Sequence, residues 1–184
     1  MFSKKAFSLL VASSLLLTSC AAITKTLPDK KAKSVLSGRE AVNGQVLAVK
    51  IDDTNMAHPQ IGLEDADVVY IEQVEGGLTR LVAVFSSTIP VRIGPVRSAR
   101  ISDIDILSQY GRVAFAYSGA QRKLLPVIAA ANLEDLGAQH ESSKIFTTDP
   151  NRIAPYAMVL RADLLMQKIV DEKLQVDSAK SVGF

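Results

Sequence analysis

From Gln45 onward apolar residues gather in short runs, and the first of them, "QVLAVKI", is apolar on both faces apart from Lys50. A strand with that pattern belongs to a sheet covered on both sides. The runs "DVVYIEQVE" and "LTRLVAVFSS" are also strand-like and are joined by Gly76-Gly77. Two glycines between such runs predict a hairpin, because glycine accepts the positive φ that a tight turn needs. The intervening "NMAHPQIGLEDA" has the Asn, Pro and Gly content of a loop. "RVAFAYSG" predicts a further buried strand. Helical spacing follows Ser102, Ala120 and Arg161, the last through Leu164, Leu165, Ile169 and Val170. Pro126 lies inside the middle helix and either starts or kinks it. Strands interleaved with helices predict an α/β or α+β domain, a mixed β-sheet with a central hairpin and flanking helices.

The first twenty residues, "MFSKKAFSLLVASSLLLTSC", have another texture. Lys4 and Lys5 precede an apolar run from Ala6 to Leu17, which is shorter than the roughly 18–20 residues of a permanent membrane helix. Leu17-Thr18-Ser19-Cys20 then fits a lipobox: an aliphatic residue, two small residues and a thiol that takes a diacylglycerol before cleavage. The alternative is a buried thiol after a plain secretory signal. The single cysteine of the chain falls where the processing chemistry needs it, which favours lipidation. The expectation is a lipoprotein signal over residues 1–19, a lipidated tether over 20–44 and a globular domain over 45–184. The Lys30, Lys31 and Lys33 run reads as part of a solvated linker. Acyl chains on Cys20 then hold the protein on the outer face of a bacterial cytoplasmic membrane, or on the outer membrane of a two-membrane cell.

Composition removes several classes of function. One cysteine forms no intrachain disulfide, and His58 and His140 are the only histidines, so no zinc-site spacing exists and no cofactor is expected. Lys4 and Lys5 account for the whole formal charge of +2. The chain from Cys20 is therefore balanced, and nucleic acid is not an expected partner.

The strings "VLAVKIDDTNMAHPQIGLEDADVVYIEQVEGGLTRLVAVFSS" and "IGPVRSARISDIDILSQYGRVAFAYSGA" resemble the YerB-like bacterial lipoproteins, a family defined by a domain of unknown function. The likeness runs from about Val46 to Leu165, and its most specific pieces are Ala66–Tyr70, Val74–Arg80, Gly94–Arg100 and Tyr117–Gly119. It implies an exported envelope lipoprotein with no assigned reaction. Family members usually carry an Ala-Pro-His-Asn-like string where this chain has Ala154-Pro155-Tyr156-Ala157. They also continue into a C-terminal domain, so this chain reads as a fragment or a truncated product.

The candidate chemistry centres on "GPVRSAR". Gly94-Pro95 sets a turn, and Arg97, Ser98 and Arg100 follow it with guanidinium forks suited to a phosphate or carboxylate. In "YSGA", Ser118 and Gly119 are expected to end a strand and open a helix, whose free N–H groups favour anions. The competing reading makes the arginines structural, paired with Asp103, Asp105, Glu72 or Glu75, with Asp103 capping a helix and Arg80 neutralising a glutamate across the hairpin. Catalysis is less supported. Ser98 and Ser118 lack a base placed by sequence, and Glu72 and Glu75 point to opposite faces of a regular strand. One enzyme class has a loose pattern likeness, the envelope phosphotransferases that act on polyprenyl-pyrophosphate-linked glycopolymers. Under that alternative Arg97 and Arg100 clamp phosphates and Asp103 helps hold magnesium. The leading expectation is a membrane-tethered binding or assembly module for an anionic cell-wall component or an envelope protein. A purely structural interaction protein is the third reading.

Overall fold

All six residues of β1 (Leu47–Asp52) are buried, as an apolar strand with covered faces requires. It pairs antiparallel with β3 (Thr79–Phe85) on one side and parallel with β5 (Val113–Ala116) on the other. β2 (Val68–Gln73) pairs antiparallel with β3, and β6 (Leu133–Asp135) pairs parallel with β5, which gives the order β2-β3-β1-β5-β6. The hairpin expected at Gly76-Gly77 is β2–β3, with φ of 72° at both glycines. It forms one side of the sheet, with β2 at the edge. In its register Glu72 lies opposite Arg80, and Arg80 lies opposite Asp52 on β1. Three charged residues from three strands therefore form one row.

The computed structural model describes residues 31–183. These belong to a compact unit that starts at Lys31 and contains two hydrophobic cores, one on each face of the sheet. Leu47, Val49, Ile51, Leu81, Ala83 and Phe85 face one core. That core is closed by α3 (Ala162–Asp171) and by a small antiparallel sheet of β4 (Arg92–Ile93), β8 (Met158–Arg161) and β7 (Phe146–Thr148). Ala48, Val82, Val84 and Phe115 face the other core, closed by Leu107 of α1 (Ile101–Ser108) and Ile128 of α2 (Leu125–Ala130). The result is a mixed α/β sandwich of three layers. Of the apolar positions expected to bury α3, Leu165 and Ile169 do so, while Leu164 and Val170 stay exposed.

The N-terminal boundary differs from the expected one. Ser34 and Leu36 are buried, so residues 31–44 pack on the domain instead of extending the tether to residue 44. Cys20, the signal and tether residues 20–30 lie outside the described residues. Asp67 fastens the packed segment: its carboxylate accepts hydrogen bonds from the hydroxyls of Ser34 (3.0 Å), Ser37 and Ser87 (2.5 Å) and from the N–H groups of Ser86 (2.7 Å) and Ser87 (2.8 Å). Burial alone raises the Asp67 pKa, but these bonds outweigh it and hold the group below its ordinary value of 3.8. Its contribution to stability is therefore complete above that value and lost as pH falls through the depressed folded value. Asp67→Asn is expected to cost about 1–3 kcal/mol at neutral pH and to flatten the acid limb below about pH 4, read by urea unfolding at a series of pH values.

Candidate functional site

β1 and β5 pair only as far as Val49 and Ala116, then separate, and residues 95–99 fill the gap between them. The N–H of Asp52 donates to the carbonyl of Pro95 and that of Arg97 to Lys50, each at 2.9 Å. On the other side the N–H of Ser118 donates to Arg97 and that of Ala99 to Gly119, again at 2.9 Å. The Gly-Pro turn thus feeds an arginine segment into the mouth formed by diverging parallel strands, the place where ligands gather on open α/β sheets. Arg97, Ser98, Arg100, Ser118 and Gly119, singled out from sequence, are brought to one edge by backbone bonds.

The side chains divide into two groups. Arg97 Nε lies 2.7 Å from Asp52 Oδ2 as an ion pair that is not aligned for a hydrogen bond. Its Nη nitrogens make no hydrogen bond among the described residues, and its guanidinium carbon sits 5.9 Å from the centre of the Tyr156 ring. Arg97 and Ser118 line a cavity of about 280 Å³ with Thr148, Pro155 and Met158. Arg100 turns the other way: its Nε is 2.9 Å from Glu75, and its Nη1 donates to the carbonyls of Ser98 (3.3 Å) and Ala99 (3.1 Å).

Beneath this edge lies a buried charge network. Lys50, fully enclosed, places Nζ 2.7 Å from Asp103 Oδ1 and contacts Glu72. Arg80 Nη1 is 3.4 Å from Asp52 Oδ1. Burial lowers the Lys50 pKa against the raising pull of Asp103, and burial raises the Asp103 pKa against the lowering pull of Lys50. The second Asp103 oxygen accepts the N–H of Arg100 at 2.7 Å and so fixes the start of α1.

Three expectations change. Asp103 is wholly buried with both oxygens engaged, one by Lys50 and one by the N–H of Arg100, so it positions the arginine segment. Gly119 does not open a helix: α2 starts only at Leu125 and is six residues long, too far away and too short to present an anion site at Gly119. Arg80 faces Glu72 in register, but its charge partner is Asp52. Of the carboxylates expected to pair with the arginines, Glu75 does so with Arg100, whereas Arg97 pairs with Asp52, which was not among them. No group of three or more His, Cys, Asp or Glu side chains among the described residues is placed to hold a metal ion, and His58 and His140 pair with Asp53 and Asp135 instead of either serine. Sequence reasoning missed Asp52 and Tyr156 as site residues. The signal for Asp52 was the alternation Lys50-Ile51-Asp52 within an apolar strand, which places both charges on one face.

Residues 34–175 match the N-terminal domain of a protein family of unknown function, DUF3048. The chain belongs to that family. The chain is 40% identical over 80 residues to a protein of Bacillus subtilis (strain 168) named "Putative lipoprotein YerB", a stretch covering 40% of this chain and 24% of that protein. The crystal structure of YerB protein from Bacillus subtilis matches the fold with a TM-score of 0.70 and 24% identity, over 82% of this chain and 52% of that one. This DUF3048 domain thus spans about half of the solved YerB chain. The segment Val46–Leu165 that carried the sequence resemblance lies wholly inside the matched region.

Proposed function

We propose that this domain is the binding module of a lipoprotein, anchored through acylated Cys20 on the outer face of the bacterial cytoplasmic membrane, and that it takes an anionic envelope ligand or an acidic partner at Arg97 and Ser118. The observation that carries the reading is the state of Arg97. Asp52 pairs with the Nε of its guanidinium and Tyr156 lies against it, while the two Nη nitrogens make no hydrogen bond among the described residues and Arg97 lines a cavity together with Ser118. A guanidinium fixed on one edge and open on the other is preorganised for a bidentate anion. The relative named as a lipoprotein supports the anchoring, and the lipobox at Leu17–Cys20 supplies its chemistry.

The test is calorimetric titration of residues 31–184 with inorganic pyrophosphate and with a lipid pyrophosphate analogue, each with and without magnesium. Arg97→Gln is expected to weaken binding by about tenfold or more. Asp52 keeps Arg80 as a partner in this variant, so stability should fall by no more than about 1–2 kcal/mol. Unchanged binding heats, or a melting temperature lower by about 10 °C or more, assign Arg97 to the fold and sink the ligand reading. Binding that requires magnesium favours the phosphotransferase alternative.

A further inference from the structure

The start of α1 and the residues leading into α2 enclose a cleft of about 540 Å³, within the size range of small-molecule sites. Ala99 and Leu124 form its buried floor. Its flanks are Ile101, 60% exposed, and Val127, 41% exposed, so two large apolar side chains face an open cavity without cover. Two cations reach the same cleft, Arg100 and Lys123. Arg100 is offset by Glu75, which also accepts a hydrogen bond from Gln121 at 3.3 Å. Lys123 is exposed and has no acidic partner among the described residues. The walls therefore carry one net positive charge above an apolar floor.

We infer that this cleft binds a single-chain amphiphile with an anionic head, the chain lying on Ala99, Ile101, Leu124 and Val127 and the head held by Lys123 and Arg100. A plain inorganic anion leaves the apolar flanks wet, and a neutral hydrophobe leaves Lys123 unused. An alkyl chain ending in phosphate or carboxylate satisfies both at once. The site lies apart from Arg97 and does not depend on what binds there.

The experiment titrates residues 31–184 with octyl, decyl and dodecyl phosphates, with the matching carboxylates and with dodecyl maltoside, all below their micelle concentrations. Saturable binding is expected, tightening about fourfold per added methylene. The neutral maltoside should bind at least about tenfold more weakly than the charged ligands. Lys123→Gln should erase that difference, and Val127→Asp should abolish the dependence on chain length. A preference for phosphate points to a lipid phosphate as the source, and equal or better binding of carboxylate points to a fatty acid. Affinity that ignores chain length, equal binding of the neutral ligand, or full chain-length dependence in a Val127→Asp chain with native thermal unfolding overturns the inference. So does a concentration-dependent dimer that Val127→Asp dissolves, since the apolar flanks then belong to a second copy.

Discussion

Lys50→Met is expected to be less stable than the parent chain by about 3–5 kcal/mol at pH 8 and to regain part of that loss at pH 5. Methionine is close enough in shape and volume to fill the space of the lysine stem, so the effect isolates the charge. Without the ammonium, Asp103 at 0% exposure and Glu72 at 8% are left as two buried carboxylates with no cation against them. Burial already raises the Asp103 pKa while Lys50 pulls it down, and removing Lys50 releases the rise. A carboxyl whose folded pKa lies above its unfolded value keeps a proton that the unfolded chain has released, so its cost grows as pH rises through the folded value. The penalty is therefore larger at pH 8 than at pH 5, opposite in sign to the acid limb set by Asp67. For a domain of this size each kcal/mol moves the melting temperature by about 2–4 °C, so a fall near 10 °C at pH 8 is readable by circular dichroism. An equal loss at both pH values means that packing, and not the ion triplet, was removed.

The same network marks where the sequence was legible and where it was not. The hairpin could be read because Gly76-Gly77 fixes a turn, and the turn fixes the register that sets Glu72 against Arg80. The last helix could be read because Leu165 and Ile169 recur at helical spacing. β4, β7 and β8 have two to four residues each, too short to establish a period, and their identity as a sheet rests on long-range pairing. Of the two roles expected for Pro126 it takes the first and starts α2, and the helix does not reach back to Ala120 because "SGAQRK" has no apolar period of its own. At the site, the arginines and Ser118 were visible as unusual residues beside glycine turns. Their partner Asp52 was hidden, because its role arises only when β1 and β5 part and the segment around Arg97 enters between them.

Asp52→Asn is the sharpest test of whether that arrangement serves a ligand. Asp52 is fully buried, accepts the N–H of Thr54 at 2.8 Å, and places its two oxygens against Arg80 and Arg97. Asparagine preserves the shape and an acceptor for Thr54 but removes the one charge shared by both arginines. Arg80, 4% exposed, is then a buried cation without a counter-ion. Burial already lowers its pKa against the opposing pull of Asp52, and the expected cost is again about 3–5 kcal/mol. If the mouth between β1 and β5 is built for anions, an anion from solution can supply the missing charge through the open edge of Arg97. Phosphate at 100 times its Kd then returns about 2.7 kcal/mol to the variant, with a larger melting shift than in the parent chain at the same concentration and with chloride at equal ionic strength as control. Equal shifts in both chains mean that Asp52 orients the arginines for the fold alone, because an anion site would respond most where its resident carboxylate has been neutralised.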